Sequence, residues 1–424
     1  MTRADFLIDD ADLVATCAGP APRSGAAQGD IAGLARASVA AWQGRIVAVG
    51  GAEDVARAIT LSPGATVVVG RGRLVVPGFV DSHTHAVFAG DRRDELARRL
   101  GGATYADIAA AGGGIVKTVA ATRLASEDEL VAAALPRLAE ALAQGTTTCE
   151  IKSGYGLDTA TELRMLRAIR RLDALQPIDV AATFMGAHEV PVEYRGRREA
   201  YVRLVIHEML PAVASEGLAE WNDVFCEHGV FTPEESRRIL EAGLALGLRP
   251  RIHADELGAS GGALTAAAVG AASADHLIFV DEAGAAAMAQ AGVIATLLPA
   301  AAFFLKLGRY APARMLVERG VPVALASDVN PGGGFSPSMP FVQALAVFGM
   351  GLALEEALVA ATINGAAALG RQDNVGSLEV GKLMDAVVVE GTLADLVRVG
   401  APVVAAVVKR GNVVHGPLAT RRDP

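Results

Sequence analysis

Cysteine is scarce in this chain: Cys17, Cys149 and Cys226 are far apart and form no Cys-x-x-Cys pair. An odd, scattered set argues against both a disulfide framework and a thiolate metal cluster, leaving the plain role of small buried thiols. Positive charge is also short, with 38 Lys and Arg against 47 Asp and Glu and a net charge of -9. The global balance lacks the footprint of a phosphate-backbone binder, so nucleic acid is not an expected partner. Residues Met1 to Asp10 hold one arginine followed by Asp5, Asp9 and Asp10, without the basic segment and apolar stretch of a secretory signal. A cytoplasmic location is therefore expected.

Two stretches, Ala283 to Leu305 and Asn330 to Leu354, are uncharged for longer than the roughly 20 residues that span a bilayer. Gln290 and Pro299 interrupt the first, Pro331, Pro337, Pro340 and several glycines the second, and much of the rest is alanine. Neither reads as a membrane span, and the protein is expected to be soluble. Aromatic residues make up 4%, whereas the 47 glycines imply many turns and close backbone approaches. Apolar patterning through most of the chain argues against disorder.

The 424 residues, 52% of them hydrophobic, can bury a large core, as one α/β domain with an appendage or as two domains. Up to about residue 75 the pattern is short strands and turns: Asp12 to Thr16, Ser38 to Trp42, Arg45 to Val49 and Thr66 to Val69. Near the other end, Ala386 to Val389 and Val403 to Lys409 lead through Arg410-Gly411-Asn412 to Val413-Val414. We expect both chain ends to build one small β-sandwich, residues 1–75 with 375–424.

In between, strands alternate with helical stretches: Leu74 to Val80, Thr146 to Ile151, Val180 to Met185, Asp223 to Cys226, Arg249 to His253, Ala274 to Leu277, Val293 to Leu297 and Val323 to Ala326. The segments Ser126 to Gln144, Thr159 to Leu175, Pro233 to Leu246 and Asp281 to Ala291 have helical length, and Ser126 with Glu129 forms a capping-box pattern. Eight strands make a (β/α)8 barrel over residues 76–374 the economical α/β fold, with an open doubly wound sheet as the alternative.

Polar residues gather just after these strands, where a barrel places its active site. The first ends in Asp81-Ser82-His83-Thr84-His85; in extended chain residues two apart point the same way, so both imidazoles can face one point. His253-Ala254-Asp255-Glu256, Asp275-His276 and Ser327-Asp328 follow later strands. Three histidines and an aspartate suit Zn²⁺ or Fe, and a position left for water would make such a site catalytic. A lone His-x-His is weak evidence, but His83, His85, His188, His253 and His276, five of the eight histidines, fall at expected strand ends on what would be one rim. His207 and His228 are ambiguous, with His228 a candidate for a supporting hydrogen bond, and His415 is expected to be structural. Gly258-Ala259-Ser260-Gly261-Gly262 matches a nucleophile-elbow motif literally, but its strand has already ended at His253, so it reads as a glycine-rich loop.

The block Val76-Pro77-Gly78-Phe79-Val80-Asp81-Ser82-His83-Thr84-His85 resembles the opening strand of the amidohydrolase superfamily, and Gly376 to Ala386 extends the likeness. Within it, Phe88 to Arg92, Gly112 to Ile115, Glu150 to Leu157, Phe184 to His188, His253 to Glu256 and Ser327 to Gly332 resemble the branch that opens an imidazolone ring in histidine degradation. Lys152-Ser153-Gly154-Tyr155-Gly156 is the most specific of these.

The resemblance implies a barrel beside a β-sandwich of both chain ends, a small-molecule substrate, and a homo-oligomer, a dimer. It implies one zinc or iron ion held by His83, His85, His253 and Asp328, and substrate contacts from Arg92, Tyr155, His188, Glu256, Asn330, Gly332 and, weakly, Gly333. Many relatives carry a hydroxyl residue where Gly333 stands. Lys152 comes too early to be the carboxylated lysine of binuclear relatives, so a structural or substrate-side cation is expected. The implied reaction is hydrolysis of 4-imidazolone-5-propanoate by a metal-activated water, with Asp328 taking the proton, His276 stabilising the oxyanion and Glu256 shuttling a proton to the leaving nitrogen. A mononuclear deaminase of an aromatic ring is the rival, disfavoured by Arg92 and Tyr155. A non-catalytic metal- or carboxylate-binding protein would not require His276 and Glu256.

Overall fold

The computed structural model describes residues 1–103, 112–417 and 420–422, and contains two sheets. The first strands are β1 (Thr2–Ala15), β2 (Gly33–Trp42), β3 (Arg45–Gly51), β4 (Ile59–Val69) and β5 (Arg73–Pro77). The barrel follows as β6 (Phe79–Asp81), β7 (Thr146–Lys152), β8 (Asp179–Ala187), β9 (Trp221–Cys226), β10 (Arg249–Ala254), β11 (Ser273–His276), β12 (Ile294–Leu297) and β13 (Val323–Leu325). The chain then returns to the first sheet with β14 (Ala386–Glu390), β15 (Val404–Lys409), β16 (Asn412–His415) and β17 (Thr420–Arg422).

β6 to β13 pair in sequence order, all parallel, with helices between them. Every residue of β7 is buried, as expected where helices cover the sheet outside and side chains fill it inside. Helix Glu127–Ala143 starts on the reciprocal Ser126/Glu129 capping box, and helices Thr159–Leu175 and Pro233–Ala245 start on Asp158 and Thr232 caps.

The predicted strand Leu74 to Val80 is divided. Up to Pro77 it belongs to the end-built sheet, pairing with β14 and β1; from Phe79 it starts the barrel. The change occurs at Gly78, whose N–H donates to Asp385 O at 2.9 Å, and where a Cβ would lie 2.2 Å from the Thr147 hydroxyl oxygen. Only glycine fits that approach.

The sheet of both chain ends is one hydrogen-bonded unit of nine strands, in which β1 pairs with β2, β4 and β5. Period-two alternation divides its side chains between two cores. Val75, Val388 and Val408 join Phe6, Ile8 and Val39 in the sheet's own cluster, whereas Leu74, Val76, Val387, Val389 and Val407 enter the barrel core. Lys409 pins the two bodies together, donating to Thr147 O at 2.9 Å and to the Asp179 and Asp385 carboxylates at 2.7 Å each. No helix among the described residues is long and apolar enough to cross a membrane.

Candidate active site

The extended chain after β6 carries His83 and His85, and the chain after β13 carries Asp328. Asp328 N donates to His83 O at 3.0 Å and His85 N to Val329 O at 2.9 Å, so these rungs join the first and last barrel strands. Ser327 reinforces the seam, donating through N and Oγ to the Asp81 carboxylate at 2.9 and 2.5 Å. His253 and His276 lie at the ends of β10 and β11. Asp255 (φ 50°), His276 (φ 74°) and Asp328 (φ 50°) are left-handed, a strained conformation for such residues, held here by surrounding bonds.

His83, His85 and His253 each offer a ring nitrogen, all within 4.8 Å of one another. His85 Nε2 and His253 Nε2 are 3.3 Å apart, and Asp328 Oδ1 is 3.6 Å from His83 Nε2 and 3.7 Å from His85 Nε2. Behind them, His83 Nδ1 is 2.6 Å from Asp275 Oδ2 and His253 Nδ1 is 3.0 Å from Asp223 Oδ1. A carboxylate accepts from the protonated nitrogen, so both Nε2 lone pairs point inward. His83 Nε2 is fully buried and has no hydrogen-bond partner among the described residues. Two facing lone pairs and a carboxylate oxygen repel one another unless a cation joins them. The donor set therefore fits a bound metal ion.

Burial lowers the pKa values of His83 and His85 well below the usual range, leaving the neutral imidazoles that a metal requires. The Asp328 carboxyl is pushed up to about 7, mainly by burial. Beneath the donors, Lys152 Nζ contacts Glu150 Oε1 at 2.8 Å and Asp223 Oδ2 at 2.7 Å, while Arg251 reaches Asp275 Oδ2 at 3.2 Å. All five side chains are wholly buried. Burial would raise the pKa of Asp223, but His253 and Lys152 beside it hold the carboxyl well below the normal range. Lys152 thus sits under the metal donors rather than in the cavity.

A cavity of about 410 Å³ opens above the donors, lined by Arg92, Tyr155, His188, Glu256, Asn330, Gly332 and Gly333 together with His85, His253, His276 and Asp328. His188 stacks on His85 with centroids 4.9 Å apart, and its Nδ1 is 2.9 Å from Gly154 O. Burial depresses the His188 pKa to about 3, so its ring is neutral. Burial also holds the Glu256 pKa well above the usual range, with the Asp328 and Glu227 charges adding to it. Glu256 Oε1 lies 3.6 Å from His276 Nδ1. Asn330 Oδ1 accepts from Gly332 N at 2.8 Å and Gly333 N at 2.6 Å, which shapes the loop around Arg92.

The remaining histidines lie elsewhere: His228 Nε2 is 3.1 Å from Ala259 O, and His207 and His415 are exposed. Ser260 Oγ donates to Cys226 O at 2.8 Å, with its own N–H bound to Asp255 at 2.8 Å, the geometry of a loop anchor. Sequence reasoning did not single out Asp223, Arg251 or the cavity's Arg99, and it read Asp275 only as a strand end. The available signal was period two, because Arg251 stands two residues before His253 and so shares its face of the strand.

The Amidohydrolase family matches residues 74–415. An imidazolonepropionase of Symbiobacterium thermophilum is 52% identical over 100% of both chains. That of Syntrophobacter fumaroxidans is 49% identical over 92% of each. Among solved structures, an atrazine chlorohydrolase from Arthrobacter aurescens complexed with zinc shares the fold at TM-score 0.71, with 18% identity over 97% of this chain and 95% of that one. The chain belongs to the amidohydrolase family, and within it to the imidazolonepropionases.

Proposed function

We propose that this protein hydrolyses the ring amide of 4-imidazolone-5-propanoate to N-formimidoyl-L-glutamate. One observation carries the reading: His85, His253, Asp328, Glu256 and Arg92 line a single cavity, with His83 grouped beside the first two, in a chain so close to imidazolonepropionases. Water adds across the ring bond, a C–O bond forming at the carbonyl carbon as the C–N bond breaks and its nitrogen takes a proton.

His83, His85, His253 and Asp328 would hold one zinc or iron ion, which supplies the Lewis acidity that makes water nucleophilic near neutral pH. Asp328 accepts the proton that water loses. His276, on the same rim, donates to the oxygen on which negative charge develops; one such donor contributes roughly 3 kcal/mol. Glu256, whose protonated form burial favours, delivers its proton to the departing ring nitrogen. Arg92 takes the propanoate carboxylate, as a guanidinium fork suits that group. Tyr155 and His188 hydrogen-bond the ring.

The test is to add freshly generated imidazolone propanoate to purified protein and follow its ultraviolet absorbance, with a chelator-treated control. Loss that depends on metal is expected. Persistence of the absorbance with the untreated protein would overturn the assignment.

A further inference from the structure

A buried carboxylate outside the cavity governs two of its walls. Glu162 lies in the first turns of helix Thr159–Leu175 and is wholly buried. Its Oε1 accepts from Gly156 N and Leu157 N, both at 2.8 Å, and its Oε2 accepts from Gly154 N at 2.9 Å. Three backbone donors converge on this one carboxylate, and they flank Tyr155 on both sides. The same loop reaches His188, because Gly154 O is 2.9 Å from His188 Nδ1. Ser153 Oγ also accepts from Met185 N at 3.0 Å, three residues before His188.

The loop needs an anchor. Leu157 has φ 55°, a conformation a branched side chain disfavours. A Cβ at Gly156 would lie 2.8 Å from Glu162 N and 2.9 Å from Glu162 Oε1, so the backbone is drawn onto the carboxylate. Fixing the Gly154 carbonyl keeps the proton of His188 on Nδ1 and leaves Nε2 to face the cavity.

We propose that Glu162 is a positioning residue for substrate binding, holding Tyr155 and His188 in place through the backbone of residues 154–157. The proposal rests on the ring-hydrolase reading for its kinetic part alone. In Glu162→Gln an amide nitrogen must face at least one backbone N–H, so at least one of the three bonds is lost.

The experiment compares metal-loaded wild type with Glu162→Gln, and with Glu162→Asp if the first variant does not accumulate folded. Hydrogen–deuterium exchange should speed up in the peptide covering residues 154–157 and stay unchanged in β7. KM for imidazolone propanoate should rise by about tenfold or more, the scale of lost bonds to a charged group, with kcat less affected and metal content retained. In a His188→Asn, Tyr155→Phe background the further rise should be below about twofold, since coupled residues are not additive. Unchanged exchange, an unchanged KM, or effects that multiply in the triple variant would overturn the proposal. If wild type itself leaves the ring intact, the functional reading fails, and the exchange result alone decides whether Glu162 anchors the loop.

Discussion

Asp275 Oδ2 lies 2.6 Å from His83 Nδ1, and the same oxygen accepts from Arg251 at 3.2 Å. The contact fixes the tautomer of His83 and raises the basicity of its inward nitrogen. Asp275→Asn should weaken metal binding about 10–100-fold, measured by competition against a chromophoric chelator. Asp223→Asn should act in the same direction through His253. Equal affinity for both variants and wild type would mean that these carboxylates only balance charge.

The rim residues were legible where the code is local. His83 and His85 are two residues apart on extended chain, and Asp328 follows an apolar strand, so the expected barrel put all three at strand ends. The contacts of Asp223 with His253 and Lys152 join neighbouring strands whose register no single segment specifies. The division of the strand at Gly78 was hidden for a related reason. Apolar residues run on across Pro77-Gly78, and the change of sheet is set by distant partners, Asp385 and Thr147. β1 proved much longer than Asp12 to Thr16, because its register shifts between Ile8 and Ala11 and interrupts the alternation.

Glu256 offers a test through pH. Burial raises its pKa, so it keeps its proton to higher pH than an ordinary carboxyl and loses it as pH rises through that raised value. An essential proton donor then gives a kcat profile that falls on the alkaline side. Glu256→Gln should lower kcat about 10²–10⁴-fold while metal content stays as in wild type, and the residual rate should lack the alkaline fall. An unchanged kcat would remove Glu256 from proton delivery.

Lys409 is 5% exposed and bonds Asp385, Asp179 and Thr147 O at the junction of the two sheets. Lys409→Met leaves Asp385 buried without its counter-ion, a loss of about 3–5 kcal/mol by the usual cost of breaking a buried pair. Urea unfolding should show it, and Asp385→Asn added to Lys409→Met should recover part of the loss. A midpoint unmoved by Lys409→Met would show that the apolar cluster alone holds the junction.

Two glycines of one loop separate substrate binding from metal binding. A Cβ at Gly332 would lie 2.4 Å from an Arg92 guanidinium nitrogen, whereas one at Gly334 would lie 1.9 Å from Asp328 O. Arg92 is a side chain and can swing aside, at the expense of its place in the cavity and of its 3.0 Å bond from Nε to Glu95. The Asp328 carbonyl is backbone, and its residue is bonded through N to His83 O, so a shift there moves one of the proposed metal ligands. Gly332→Ala should therefore raise KM about tenfold or more, the scale of a lost charge-assisted contact, with metal content intact. Gly334→Ala should lose bound metal and lower the melting temperature that metal supports by mass action. If instead both variants kept their metal and differed only in KM, the loop would bear on the substrate side alone, and Asp328 would not depend on it for its position.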